Sequence, residues 1–203
     1  MNETWPEQIT SVVEEGMAAE LDRLAARLAT TADTEGILDL AYCTVPSPIG
    51  ELLLVASEHG IVRLAFENED REAVLAELAA KLSPRILPSP ERLEPAAREL
   101  SEFFAGARRT FDVPVDLSLT RGFRGEVVEF LRSIEFGHTR SYAQVASAVG
   151  NPGAVRAVGT ACATNPVPLF VPCHRVVRSD GTFGAYRGGH EAKRFLLAME
   201  AAA

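Results

Sequence analysis

Cysteine is scarce in this 203-residue chain: Cys43, Cys162 and Cys173 are the whole set. An odd number at wide spacing argues against a disulfide framework. The four histidines (His59, His138, His174 and His190) add no paired ligand spacing, so a structural metal site is not expected. Long apolar runs are also missing. Nothing approaches the roughly 18 consecutive apolar residues that a membrane span needs. No basic segment followed by an apolar stretch marks a secretory signal at the N-terminus. These absences lead us to expect a cytoplasmic protein without membrane contact. Internal repeats and low-complexity tracts are lacking too.

What is present describes an ordinary globular chain, with 47% hydrophobic and 24% charged residues. The length suits one large domain or two small ones, and either can bury a core. The net charge of −8 argues against nucleic-acid binding only if it is spread evenly, and it is not. Residues 121–203 carry ten Lys/Arg against six Asp/Glu, which leaves −12 on residues 1–120. An acidic front and a basic back suit a chain whose second half alone meets phosphate.

Residues 6–30 place Ile9, Val12, Val13, Met17, Leu21, Leu24 and Leu28 mostly at steps of three or four, with Glu14, Glu15, Glu20, Asp22 and Arg23 between them. This is an amphipathic helix starting near Thr4-Trp-Pro6, and such a helix ordinarily packs on its own domain and less often offers a partner surface. Thr30–Gly36 reads as a linker. Leu38–Val45, Glu51–Ser57 and Ile61–Phe66 form a strand meander, followed by helices over Glu69–Leu82 and Pro95–Gly106 and a strand at Phe111–Val115. The rest is mainly helical, over Phe123–Ile134, Ser141–Val149 and Gly153–Ala163. The last two, joined through Gly150-Asn-Pro-Gly153, have the form of a helix-turn-helix. The expected class is α+β in three parts. Residues 1–36 hold the helix and linker, 38–115 a sheet-containing scaffold, and 116–203 a mainly helical domain.

The chemistry concentrates in Asn165-Pro-Val-Pro-Leu-Phe-Val-Pro-Cys-His-Arg-Val-Val177. A free cysteine is ordinarily an inert buried hydrophobe, which describes Cys43 and Cys162. Cys173 adjoins a potential base, His174, and a thiol becomes a strong nucleophile when an imidazole takes its proton. On an extended backbone adjacent side chains diverge, so His174 would act through a bridging water. On these residues alone a thiol protease, a redox protein and an alkyl acceptor all remain open.

The ordered set of motifs distinguishes them. Pro172-Cys-His-Arg-Val176, preceded by Asn165-Pro-Val-Pro168 and followed by Gly184-Ala-Tyr-Arg-Gly-Gly189, closely resembles the O6-alkylguanine-DNA alkyltransferase family. Arg156-Ala-Val-Gly159, Ser141-Tyr-Ala-Gln144 and Leu196-Leu-Ala-Met-Glu200 match it in order and spacing. The likeness is dense from Phe123 to Glu200, looser over Leu38–Phe111, and does not clearly cover residues 1–36.

The resemblance implies an RNase H-like first domain, a winged-helix or helix-turn-helix catalytic domain, and a role for each matching position. Cys173 would be the single-use acceptor, His174 its water-mediated base, and Glu200 the carboxylate orienting the imidazole. Tyr142, with Ser141 beside it, would help extrude the target nucleotide, and Arg156 would fill the gap left in the stack. Asn165 would tie the helix-turn-helix to the active-site segment. Tyr186 would line the alkyl pocket, and the backbone near Val176 and Arg187 would meet the guanine edge. The implied partner is double-stranded DNA carrying O6-alkylguanine, with O4-methylthymine less favoured. The chain would act as a monomer with no obligate protein partner. No cofactor is implied, since no Gly-rich strand-to-helix loop offers a nucleotide or S-adenosylmethionine pocket.

The chain departs from the family pattern at three places. Cys162-Ala-Thr164 precedes the hinge where many members carry a longer or basic residue, which puts DNA affinity in question. Arg187 stands where some members have a small residue. The cysteines and histidines of zinc-containing relatives are missing from the first domain. Relatives with tryptophan at the acceptor position bind lesions without repairing them, and Cys173 excludes that variant. Two rivals from other classes are a lesion-sensing regulator and a thiol hydrolase.

Overall fold

The computed structural model describes residues 7–202. A long helix α1 (Glu7–Thr34) precedes a four-stranded sheet of β1 (Leu40–Val45), β2 (Leu52–Ser57), β3 (Gly60–Phe66) and β4 (Ile86–Pro88). The first three strands are an antiparallel meander and β4 pairs in parallel with β1, giving the order β3-β2-β1-β4. The run Leu52-Leu-Leu-Val55 is apolar on both faces because both are covered. Leu54 and Leu64 face α3 (Pro90–Phe104) through Leu93, Leu100 and Phe103, whereas Leu53, Val55 and Val62 meet Val74 and Leu78 of α2 (Arg71–Lys81). Period-2 alternation sorts one strand's side chains into these two layers. Asp70 caps α2 by accepting from the Ala73 amide at 3.1 Å, and Pro90 starts α3 where its missing N–H costs nothing.

The second half comprises α4 (Gly122–Leu131), β5 (Arg140–Ser141), α5 (Tyr142–Ala148), α6 (Val155–Ala163), a 3-10 turn at Cys173–Arg175, β6 (Val176–Val177) and α7 (Gly189–Ala201). β5 and β6 pair in parallel, Arg140 with Val176 and Ser141 with Val177. The pairing sets the start of the helix-turn-helix beside the end of the cysteine turn. The same apolar cluster that includes Leu54, Leu64 and Phe103 continues through Val127, Leu131, Val145, Val158, Val171 and Leu196, so the two halves share one core. Polar links reinforce the seam. The Leu64 amide donates to the Pro166 carbonyl at 2.8 Å, and Glu69 binds both Arg63 and Arg187. No helix among the described residues is long and apolar enough to cross a membrane.

Several boundaries differ from the sequence expectation. The linker over Thr30–Gly36 is helical as far as Thr34, because Ala29 and Ala32 are buried and Thr30, Thr31 and Thr34 return their hydroxyls to carbonyls four residues back. The strand at Phe111–Val115 reduces to one bridge between Ile61 and Val115, with Pro114 unable to donate to a ladder. The proline-rich stretch hides a strand, β4, and α3 begins at Pro90 rather than Pro95. α4 stops at Leu131 and α6 starts at Val155. The apolar stripe of α1 is not covered by its own domain: Met17, Leu21, Leu24 and Leu28 are 59%, 60%, 47% and 57% exposed. The proposed start at Thr4-Trp-Pro6 lies outside the described residues, as do the side chains of Ile9, Val12 and Val13.

Candidate active site

Asn165 organises the segment leading to the cysteine. It is buried, its amide nitrogen donates to the Val171 carbonyl at 2.9 Å, and its oxygen accepts from the Val167 amide at 3.1 Å. These two bonds close the Asn165–Val171 loop on itself and anchor it at the end of α6. Leu169 inside that loop has φ +73°, a costly value for a residue with a branched side chain. The chain then enters the 3-10 turn, with the Arg175 amide donating to the Pro172 carbonyl at 3.0 Å and the Val176 amide donating to the Cys173 carbonyl. Cys173 and His174 therefore sit on a turn and not on the extended backbone expected from sequence.

Glu200 is buried on the inner face of α7 and not frayed at its end. One of its oxygens lies 2.8 Å from His174 Nε2, and Arg175 donates to both through Nε and one terminal nitrogen at 2.9–3.2 Å. The Gly137 amide adds a fourth donor at 3.1 Å. Burial alone would raise the Glu200 pKa, but the bonds from His174 and Arg175 outweigh it and hold the carboxyl down at about 2. His174 is pushed the other way. Burial lowers its pKa below the usual 6.5 despite the carboxylate, so the ring is neutral. With Nε2 donating to Glu200, Nδ1 remains as an acceptor that has no protein partner among the described residues.

Cys173 is 1% exposed, and burial raises its thiol to about 11, against pulls downward from an Asn165 hydrogen bond and the Lys193 charge. Tyr186 packs edge-on to Phe66 at 5.4 Å and to His174 at 6.4 Å, and its buried hydroxyl has no partner among the described residues. Tyr142 is half-buried, with its phenol raised to about 12 by burial. A Cβ at position 184 would run into the Tyr142 hydroxyl, so Gly184 keeps that place open. Gly188 does the same for the Phe66 ring. Lys193 is buried. Its ammonium donates to the Val176 carbonyl at 2.6 Å and stands 5.9–6.0 Å over the Phe183 and Tyr186 rings.

The structure brings Cys173, His174, Glu200, Asn165 and Tyr186 together, with Tyr142 close by. Arg156 lies apart on the exposed face of α6. Ser141 is occupied as a helix cap, exchanging bonds with Gln144 at 2.7 and 3.1 Å. The Val176 carbonyl accepts from Lys193 and the Arg187 carbonyl from Asn68 Nδ2. The Arg187 side chain turns away to Glu69, with Nε at 2.7 Å. Sequence reasoning missed Arg175 and Lys193. Arg175 was inside the quoted motif without a role. Lys193 had a legible signal, since Lys193, Leu196 and Glu200 recur at three- and four-residue steps and share the buried face of α7.

Comparison with known proteins places the chain in a family. Residues 40–117 match the model of the 6-O-methylguanine DNA methyltransferase ribonuclease-like domain, and residues 122–202 match that of its DNA-binding domain. The constitutive methylated-DNA–protein-cysteine methyltransferase of Bacillus subtilis is 40% identical over 78% of this chain and 94% of its own. A Mycobacterium bovis protein of the same description is 38% identical over 78% and 91%. The Mycobacterium tuberculosis O6-methylguanine methyltransferase structure superposes with a TM-score of 0.71 at 35% identity, covering 80% of this chain and 93% of that one. Its counterpart in complex with DNA gives 0.70 at 36% identity, with the same coverage. This chain belongs to the 6-O-methylguanine-DNA methyltransferase family.

Proposed function

We propose that this protein repairs DNA directly, transferring the alkyl group of O6-alkylguanine to Cys173, one group per chain. The observation that carries the reading is a buried thiol followed by a neutral imidazole whose far nitrogen is fixed by Glu200. The alkyl carbon lies inside the duplex stack, so the nucleotide has to be extruded before sulfur can reach it. Arg156, exposed on α6, is suited to occupy the vacated position, and Tyr142 to meet the incoming base. Residues 116–203 hold all of these groups, and residues 38–115 support them through the shared core and the Glu69 link.

The chemistry balances within one chain. The Cys173 proton passes through water to His174 Nδ1, whose opposite edge is stabilised by the Glu200 carboxylate as positive charge develops. The thiolate sulfur attacks the alkyl carbon, and the carbon–oxygen bond breaks as the sulfur–carbon bond forms. The electron pair returns to the guanine O6 and ring, which takes up a proton. Tyr142, held protonated by its raised pKa, can donate toward the leaving base. The product is guanine and a thioether, and no cofactor is consumed.

The test is intact-protein and peptide mass spectrometry after mixing with methylated duplex. The expected result is a mass increase of one methylene on Cys173, with guanine restored in the DNA. Lesion binding without an adduct would favour a sensor, and restored guanine without a modified cysteine would exclude the acceptor role.

A further inference from the structure

We propose that α1 is a self-association surface, on which a second copy of this chain docks its own α1 antiparallel to the first. The stripe Met17, Leu21, Leu24 and Leu28 is spaced four, three and four residues apart, the alternation of core positions in a two-helix coiled coil. All four are among the large apolar residues left exposed, so the stripe has no cover among the described residues. The helix is anchored elsewhere. Ala29 and Ala32 are buried, and Asp33 pairs with Arg92 at 3.3 Å. At about 100° per residue, that anchoring face lies roughly a quarter turn round from the stripe, so the stripe stays open to an approaching helix.

Charge complementarity selects the occupant. A two-fold axis midway between Leu21 and Leu24 stacks Leu21 on Leu24 of the second copy and Met17 on Leu28, filling four layers with apolar side chains. The flank of the stripe away from the domain carries Glu20 and Arg27. In this antiparallel register Glu20 faces Arg27 of the second copy, and the symmetry repeats the pair. A parallel register sets Glu20 opposite Ala25 of the second copy and leaves both charges unmatched. Glu20 binds Arg23 one turn away in the single chain, but both groups are exposed, so exchanging that partner costs little. The acidic residues that predominate between the apolar positions of 6–30 disfavour DNA or an anionic membrane as the partner. The two attachment points at Thr34 would stand roughly 35 Å apart, at ~1.5 Å per residue, leaving both cysteine sites unobstructed.

The experiment is sedimentation velocity on the full chain over a wide concentration series. A reversible monomer–dimer equilibrium is expected. Leu21→Lys with Leu24→Lys should weaken it at least about tenfold while methyl transfer per chain is unchanged, both positions being exposed and remote from Cys173. Glu20→Arg alone should weaken it about tenfold by opposing like charges, and Glu20→Arg combined with Arg27→Glu should restore it. Far-UV circular dichroism of each variant checks that α1 is retained. A monomer at every concentration would overturn the proposal, as would a dimer indifferent to the leucine changes. Weakening by the leucine pair without any response to charge reversal would overturn the antiparallel register. Binding of phosphatidylserine vesicles in place of self-association would overturn the choice of partner.

Discussion

Glu200 meets His174 at 2.8 Å across 26 residues of sequence, inside the protein, where neither side chain touches water appreciably. The same carboxylate receives Arg175, so one negative charge both orients a neutral imidazole and neutralises a buried cation. The pairing joins α7 to the cysteine turn, and the stability of the fold and the orientation of the imidazole consequently depend on one residue. That coupling yields the first two predictions.

Replacing Glu200 with Gln keeps the volume and removes the charge, leaving Arg175 buried without its counter-ion. Breaking one side of a buried pair costs about 3–5 kcal/mol. Urea unfolding should show that loss, and single-turnover transfer should slow because the ring is no longer held in one tautomer. The wild-type acid profile should change with it. Glu200 is depressed from 4.5 to about 2, so its stabilising effect is complete above pH 4.5 and is lost as the pH falls toward 2. In the Gln variant that portion of the profile should be flat. A variant as stable as the wild type would contradict the structural role.

The transfer rate should be nearly independent of pH between about 7 and 9. His174 is neutral there because burial lowers its pKa below 6.5, and Cys173 remains a thiol because burial lifts it to about 11. The reactive pair is then in one protonation state over the whole range. On the acid side the rate should fall only below pH 6.5, as the imidazole takes up its own proton. A rate that climbs tenfold per unit from pH 7 to 9 would instead mean that preformed free thiolate attacks without help from His174.

Arg156→Ala should slow repair in duplex DNA far more than in a short single-stranded oligonucleotide. The guanidinium is exposed on α6, distant from the buried cluster, so its loss leaves the chemistry intact. Its proposed task is to offset the unstacking of an extruded base, a cost that a single strand hardly incurs. Equal losses on both substrates would remove Arg156 from the extrusion step.

Alkylated protein should be less stable than the unmodified form. Cys173 is 1% exposed and packed beside Tyr186, so an added methyl group has to displace neighbours. Overpacking of this kind costs about 1–3 kcal/mol, which corresponds to a melting point lower by roughly 2–12 °C for a chain of this size. Differential scanning calorimetry before and after one equivalent of methylated duplex gives the comparison. An unchanged melting point would refute the destabilisation. Product rising past one equivalent would separately refute single use.

The helix-turn-helix, the meander and the acceptor motif were legible in the sequence because each depends on local spacing. The capping residue Ser141, the continuous apolar run Leu52–Val55 and the ordered run Pro172-Cys-His-Arg175 carry their meaning within a few positions. Glu200 was found through its place in a motif, while the charge that makes it unusual was not visible there. Its depressed pKa requires Arg175, His174 and the Gly137 amide to converge from separate elements. β4 was obscured because Pro84 and Pro88 read as breakers, and a parallel partner, Leu40–Tyr42, outweighs them. The linker after Leu28 was misjudged because threonine is a weak helix former, and two buried alanines override that preference.

Sequence by itself determined which reactive groups this chain carries, since the thiol of Cys173, the imidazole of His174 and the carboxylate of Glu200 are residue identities. Only the tertiary structure decided how those groups are charged and what covers them. Burial raises the thiol, keeps the imidazole neutral and holds Lys193 against the Phe183 and Tyr186 rings, and burial is a property of the whole packed chain. The same reason explains α1, whose amphipathic pattern predicts a covered face without naming the cover. Packing alone shows that Ala29 and Ala32 anchor the helix while Met17, Leu21, Leu24 and Leu28 remain in water.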